Sequence, residues 1–276
     1  MNSKLSVWTA YFYDLSPEDA VLTFLKNGIH CAELSDEHGL MLLDRGDPKA
    51  VGQQFKTFLD ANSFTTTQGH LWLSCKICSN EEDIPKLYQW LDLFEAIGIR
   101  NGVLHIDSLR DQPNLSLQER LDRNIQKLKL IETYLKQNQY RLRICLENLN
   151  KIATDIDQLN YMLDRLDPDC FGICLDTGHL NLTVKDQTAF ILKAGNRLQA
   201  LHIADNEGVW DQHKMPFSLN TKTHIDFHEV VAALRKIGYS GPFNLEIPGE
   251  NRLPLPILEY KLEFIRKCYD YLMDTV

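Results

Sequence analysis

Eight short runs rich in apolar and β-branched residues recur along the whole chain, each followed by an amphipathic stretch. They fall at 4–9 (KLSVWT), 30–34 (HCAEL), 64–70 (FTTTQGH), 101–106 (NGVLHI), 142–147 (LRICLE), 171–176 (FGICLD), 198–203 (LQALHI) and 242–247 (PFNLEI). Most read as continuous apolar runs rather than alternations, the pattern of strands buried on both faces of a parallel sheet. No Pro/Gly/Ser-rich linker or low-complexity segment divides them, so one domain over 1–276 is expected. Eight strand–helix units in this length point to an α/β fold whose sheet closes as a (β/α)8 barrel. An open doubly wound sheet is the alternative, and no GxGxxG follows the first run to support it.

The intervening stretches carry helix starts. Ser16-Pro17 is followed by Asp19, Asp47 precedes Pro48, and Ser116 with Glu119 forms a capping box. After that box Leu121, Ile125, Leu128 and Leu135 lie on one helical face, which needs an apolar surface to cover it.

A barrel places its chemistry at the C-terminal ends of its strands. Six of the runs finish, or nearly finish, on a potential metal ligand: His70, His105, Glu147, Asp176, His202 and Glu246. Carboxylates within ICLEN and NLEIP are costly to bury without compensating positive charge. The basic residues of the runs are few, Lys4 at the first and Arg141 and Arg143 around the fifth, so a divalent cation is the expected counter-charge. Two further pairs lie in the following turns: Asp176-Thr-Gly-His179, and Asp211-Gln-His213 in the long loop after His202. The mixed set of Glu147, Asp176, His202 and Glu246 suits Mn, Zn or Co, with Fe and Mg also compatible, and more than one ion can be accommodated if His70, His105, His179, Asp211 and His213 contribute. His30, His38, His224 and His228 are read as solvated or structural.

The charge balance, 29 Lys+Arg against 38 Asp+Glu for a net −9, argues against nucleic acid as a partner, and the strand-end loops show no Lys/Arg cluster along the sequence. No apolar run is long enough to cross a bilayer and the first residues lack a secretory h-region, so a cytoplasmic protein with no membrane partner is expected. Seven cysteines, several inside apolar runs as in RICLE and GICLD, suit a reducing compartment, and the single CxxC of Cys75 and Cys78 is read as two unrelated thiols. Association into a homo-oligomer is left open.

The motifs LEN at 146–148, CLDTGH at 174–179, LHIADN at 201–206 and NLEIPGE at 244–250 resemble the xylose isomerase-like TIM-barrel superfamily, which includes sugar isomerases and epimerases and the zinc-dependent AP endonucleases of the endonuclease IV type. In the ketose 3-epimerase branch the resemblance implies one metal held by Glu147, Asp176, His202 and Glu246, with Glu147 and Glu246 as the proton-transfer pair and His179 touching substrate. In the endonuclease branch it implies three zinc ions: one on His70, His105 and Glu147, a second sharing Glu147 with Asp176, His202 and Glu246, and a third on His179, Asp211 and His213. The segment after His202 reads ADNEGVWDQHKM, without the arginine of the epimerase pattern.

These features lead to a metal-dependent isomerase or epimerase of a small carbohydrate, in which a cation stabilises an enediolate between two glutamates acting as acid and base. Trp8, Trp72 and Trp210 lie near strand ends and either stack on sugar C–H faces or pack at the rim. The loop 204–224 holds one glycine, Gly208, which disfavours the usual barrel phosphate loop, although Lys214 and Lys222 lie there. A zinc-dependent phosphodiester hydrolase, and a dehydratase or isomerase of an inositol-type ketone, are the alternatives.

Overall fold

The computed structural model describes residues 3–219, 225–248 and 253–276; Lys222, His224 and the Gly249-Glu250 end of NLEIPGE lie outside the described residues. Eight strands occur among them: β1 (Leu5–Trp8), β2 (Ala32–Glu33), β3 (Gln68–His70), β4 (Asn101–Leu104), β5 (Arg143–Glu147), β6 (Phe171–Asp176), β7 (Leu198–His202) and β8 (Phe243–Leu245). Ladders join them in the orders β2-β1-β8 and β3-β4-β5-β6-β7, and every named pairing is parallel. Two seams complete the ring. Across β2 and β3, Leu34 N–H donates to Gln68 O at 3.2 Å and His70 N–H to Leu34 O at 2.8 Å; across β7 and β8, Ile203 N–H donates to Asn244 O at 2.8 Å and Glu246 N–H to Ile203 O at 3.2 Å. The sheet is therefore a closed eight-stranded TIM barrel.

Each of the eight apolar runs holds one strand, but the regular ladders are shorter than the runs. In the third run the named strand begins only at Gln68, where Asn101 N–H donates to Thr67 O at the start of the β3–β4 ladder; before it, Thr65 makes a single parallel bridge to Cys31. His105 and Glu246 sit one residue beyond β4 and β8.

The helices are α1 (Pro17–Lys26), α2 (Asp36–Leu43), α3 (Pro48–Ala61), α4 (Asp83–Ile97), α5 (Leu117–Gln137), α6 (Ile156–Leu163), α7 (Thr177–Asn181), α8 (Gln187–Ala194), α9 (Phe227–Lys236) and α10 (Leu255–Thr275). Their starts follow from their caps. Ser16 Oγ accepts from Asp19 N–H, Asp47 from Ala50 N–H, and Ser116 with Glu119 closes both halves of the expected capping box. Helix α4 ends at Gly98, whose φ of 92° is the left-handed conformation that glycine adopts without penalty. Leu121, Ile125, Leu128 and Leu135 of α5 are all buried, as their spacing predicts, and belong to the large apolar layer between helices and sheet.

Inside the barrel the two-residue period of the strands sorts side chains into layers. Ile144, Leu146, Ile173 and Leu175 join the layer under the helices, whereas Val103, Cys145, Cys174 and Ala200 form a separate small cluster within the ring. Two residues further along each of those strands, on the same inward face, stand His105, Glu147, Asp176 and His202. Small residues fill the middle layer, and the ligand-type residues form the layer above it. Arg143 lies at the opposite end of β5 from Glu147 and so cannot serve as its counter-charge.

Candidate metal centre

The upper layer of the barrel gathers the six strand-end residues into one hollow. Ligand atoms of Glu147, Asp176, His202 and Glu246 lie within 4.8 Å of one another, as do those of His70, Glu147 and His202, and those of Asp176, His179 and His213. His202 Nδ1 stands 3.1 Å from Glu246 Oε2 and 3.4 Å from Glu147 Oε2, so both glutamates reach the same ring nitrogen. His105 Nε2 is 2.9 Å from Glu147 Oε2, and His70 Nε2 is 3.7 Å from the same oxygen.

Three of the imidazoles are aimed by their other nitrogen, each through a backbone carbonyl. A carbonyl can only accept, so the Nδ1–H of His70 donates to Leu71 O at 2.7 Å, that of His179 to Asn148 O at 3.0 Å and that of His213 to Glu246 O at 3.0 Å. The Nε2 atoms are thereby left facing the hollow, where those of His179 and His213 lie 3.0 and 3.1 Å from Asp211 Oδ2. This is how metal-ligating histidines are oriented by their outer partners. His213 holds its position with a φ of 44°, a left-handed conformation uncommon for a residue with a Cβ.

The DTGH turn has two functions at once. Asp176 Oδ1 accepts His179 N–H at 2.6 Å as the cap of the short helix α7, while Oδ2 remains buried without an aligned hydrogen-bond partner. His70 Nε2, His202 Nδ1, Glu246 Oε2 and Asp211 Oδ1 are orphaned in the same way. Buried polar atoms are normally satisfied, so a convergent group of unsatisfied nitrogen and carboxylate oxygens fits a cation. Among the described residues no lysine or arginine pairs with Glu147, Asp176 or Glu246.

The charges are mutually sustained. Burial disfavours the anion of Glu147, yet His105 and His202 hold its carboxyl well below the usual range. Burial likewise opposes Glu246, but His202 and His213 bring it down to about 2. Asp176 behaves differently: its burial, with Glu147 and Glu246 nearby, lifts it to about 7. Burial opposes the charge of His70 and His213, but Glu147 raises the first to about 9, and Glu246 and Asp211 raise the second to about 10. Without a metal, shared protons occupy the place of the cation.

The other expected positions divide. Trp8 shares the face of β1 with Ser6, and its Nε1 is buried without a partner; Trp72 packs against the outer apolar layer with Lys86 Nζ 5.8 Å from its ring; Trp210 is 59% exposed. His38 is fully buried with Nε2 3.1 Å from Leu15 O, and His30 is exposed. Burial pushes the thiols of Cys75 and Cys78 up to about 12.

Two features escape a reading along the sequence. Glu33, at the end of β2, is fully buried with Oε1 2.9 Å from His202 Nε2, and its Oε2 accepts from Asn244 Nδ2. A buried glutamate inside HCAEL was its only signal. The second is a correction: Lys76, Arg110 and Lys151 come together at one hollow beside the site, although no cluster of basic residues is visible in any single loop. They derive from the loops after β3, β4 and β5, which are distant in sequence and adjacent in a barrel.

A family model described as xylose isomerase-like TIM barrel matches residues 25–268. An uncharacterized protein, y4fM, of Sinorhizobium fredii is 29% identical over 168 residues, 57% of this chain, and the match spans half (50%) of that relative's length. A probable endonuclease 4 of Mycoplasmopsis synoviae is 25% identical over 194 residues, 66% of this chain and 68% of the relative. The solved structure of D-psicose 3-epimerase with D-tagatose, from Clostridium cellulolyticum H10, matches with a TM-score of 0.79 at 16% identity, covering 98% of this chain and 99% of that one. At that identity the likeness is one of fold.

Proposed function

Because this chain belongs to the xylose isomerase-like TIM-barrel family, we propose that it is a divalent-metal-dependent isomerase or epimerase of a keto sugar. The observation that carries this reading is the convergence of the Glu147 and Glu246 carboxylates on one atom, His202 Nδ1, at 3.4 and 3.1 Å. Glu147, Asp176, His202 and Glu246 would hold the ion. A bound divalent cation would supply the positive charge against which an enediolate can form.

The chain's own residues perform the proton chemistry. One glutamate carboxylate would remove the proton from the carbon next to the carbonyl, and the other, ionised in the metal-free site and so taking up a proton before this step, would return a proton to that carbon from the opposite face. Epimerisation by this route leaves the oxidation state unchanged and leaves the first glutamate protonated and the second ionised, so the pair must exchange a proton with solvent before the next turnover in the same direction. His202 keeps its ring beside both of them, fixed by Glu33.

A second reading is favoured by the Asp176–His179–His213 group, which could hold a further ion, and by the relative described as a probable endonuclease 4. It is a phosphodiester hydrolase using clustered zinc ions. The net charge of −9 weighs against the duplex binding that such an activity on DNA needs.

Exchange of substrate C–H for solvent deuterium, followed by proton NMR over a panel of ketoses with Mn²⁺ or Co²⁺, tests the proposal. Exchange is expected, and Glu147→Gln and Glu246→Gln should each lower it by about 10²-fold or more. Absence of exchange across the panel, together with metal-dependent nicking of abasic-site DNA, would establish the hydrolytic reading instead.

A further inference from the structure

Beside the metal centre lies a hollow of about 260 Å³, with His105, His179 and Asp211 on the wall it shares with the centre and Lys76, Arg110 and Lys151 among its remaining lining. None of the three cations has an ion-pair partner among the described residues. Three exposed basic residues from three loops of a net acidic chain, lining one hollow together, are the feature to be explained. Like charges gathered on one hollow repel each other, and an anionic ligand removes that repulsion.

The loops that present them are anchored. Asp107 Oδ2 accepts from Ser79 N–H at 2.9 Å and from Ser79 Oγ–H at 2.7 Å, which ties the loop after β3 to the loop after β4. Lys76 N–H donates to Asp83 Oδ2 at 2.8 Å. Leu109, with a φ of 50° and a fully buried side chain, sets the turn from which Arg110 emerges, and Lys151 precedes the buried pair Ile152 and Ala153. Asp211, the carboxylate of this lining, is engaged by His179 and His213 through Oδ2 and forms no ion pair with the three cations.

We propose that this hollow binds the terminal phosphoryl group of the substrate, so that the carbohydrate handled at the metal centre is a sugar phosphate. The inference rests on the keto-sugar reading above and adds the substrate class to it. A phosphomonoester carries about −1.5 to −2 charges at neutral pH and three acceptor oxygens, which matches one guanidinium and two ammonium groups. It places the anionic end of the substrate away from Glu147, Asp176 and Glu246 and the keto end towards them. The hollow lies on the β3–β5 side of the mouth, not at the loop 204–224 where a barrel phosphate site is usually sought.

Calorimetric titration of the Mn²⁺-loaded protein with D-fructose, D-fructose 6-phosphate and D-fructuronate tests it, alongside the variant Lys76→Gln/Arg110→Gln/Lys151→Gln. The ester is expected to bind about tenfold or more tightly than the free sugar, and the variant to lose most of that ratio. Inorganic phosphate should bind the wild type more tightly than the variant. Equal affinity for ester and free sugar, a preference that survives in the variant, or a uronate that binds as well as the ester would overturn the inference. So would loss in the variant of abasic-duplex binding with no effect on the ester. Ester-selective binding without deuterium exchange would contradict the isomerase reading alone; exchange without ester selectivity would contradict the phosphoryl site alone.

Discussion

His202 Nε2 lies 2.9 Å from Glu33 Oε1, with both side chains fully buried, so the imidazole is held at one nitrogen and presents the other to Glu147 and Glu246. Glu33 is itself fixed by Asn244, whose Oδ1 accepts from Ser6 Oγ–H at 2.7 Å. Outer partners of this kind contribute about 10–100-fold to metal affinity. Glu33→Gln should therefore weaken Mn²⁺ or Zn²⁺ binding by a factor in that range while the urea midpoint of the metal-free protein changes little. Competition with a chromophoric chelator measures the first, and unchanged affinity would show that Glu33 only packs.

Metal binding should strengthen steeply with pH. At neutral pH the metal-free site holds protons on His70, raised from 6.5 to about 9, on His213, raised from 6.5 to about 10, and in part on Asp176, raised from 3.8 to about 7. An incoming cation must displace them, so affinity should climb between about pH 6 and 9 with release of more than one proton, measurable by calorimetry in buffers of different ionisation enthalpy.

The same shifts give the stability of the metal-free fold its sign. The raised histidines contribute fully below pH 6.5 and lose that contribution as the pH passes about 9 to 10; Asp176 loses its own as the pH passes about 7. Glu246, lowered from 4.5 to about 2, contributes above 4.5 and loses it as the pH falls towards 2. Urea midpoints without metal should decline above neutrality, and saturating metal should reverse the decline. A midpoint that rises with pH above neutrality in the absence of metal would contradict this arrangement of charges.

Asn148 joins the ends of β5 and β6 through two buried hydrogen bonds, Nδ2–H to Asp176 O at 2.9 Å and Asp176 N–H to Oδ1 at 2.8 Å. Asn148→Ala leaves the buried N–H of Asp176 unsatisfied, while its carbonyl keeps its role as the N-cap acceptor of α7. A loss of about 1–3 kcal/mol is expected from urea unfolding, with weaker metal binding because Asp176 is no longer fixed. A loss below that range would mean that water replaces the amide.

Gly52 sets two opposing effects against each other. Alanine is about 1 kcal/mol better than glycine within a helix, but a Cβ here would meet Leu93 O at 2.8 Å and Ala96 Cβ at 2.7 Å in the packing of α3 on α4. Backbone atoms cannot give way cheaply. Gly52→Ala should be destabilising by about 1–3 kcal/mol, and a raised thermal midpoint would show that the helices can separate.

The barrel was legible because its signal is periodic and local: each apolar run holds a strand, and Ser16, Asp47 and Ser116 each cap a helix as their neighbours predict. The ring of ligand-type residues was legible for a related reason, since parallel strands place the ends of successive runs side by side. What was not legible depends on pairing across strands. Glu33 gains its meaning only from His202, a residue reached by closing the ring, and Lys76, Arg110 and Lys151 become a cluster only when three loops meet.

Elemental analysis of the protein purified without a histidine tag, then dialysed against Mn²⁺, Co²⁺ or Zn²⁺ and freed of excess ion, bears most directly on the metal centre. About one equivalent per chain is predicted, falling to a small fraction in Glu147→Gln and His202→Gln variants that retain the wild-type circular dichroism. Three equivalents of zinc would favour the hydrolytic reading, and a wild-type chain that retains none of the three ions would contradict the account.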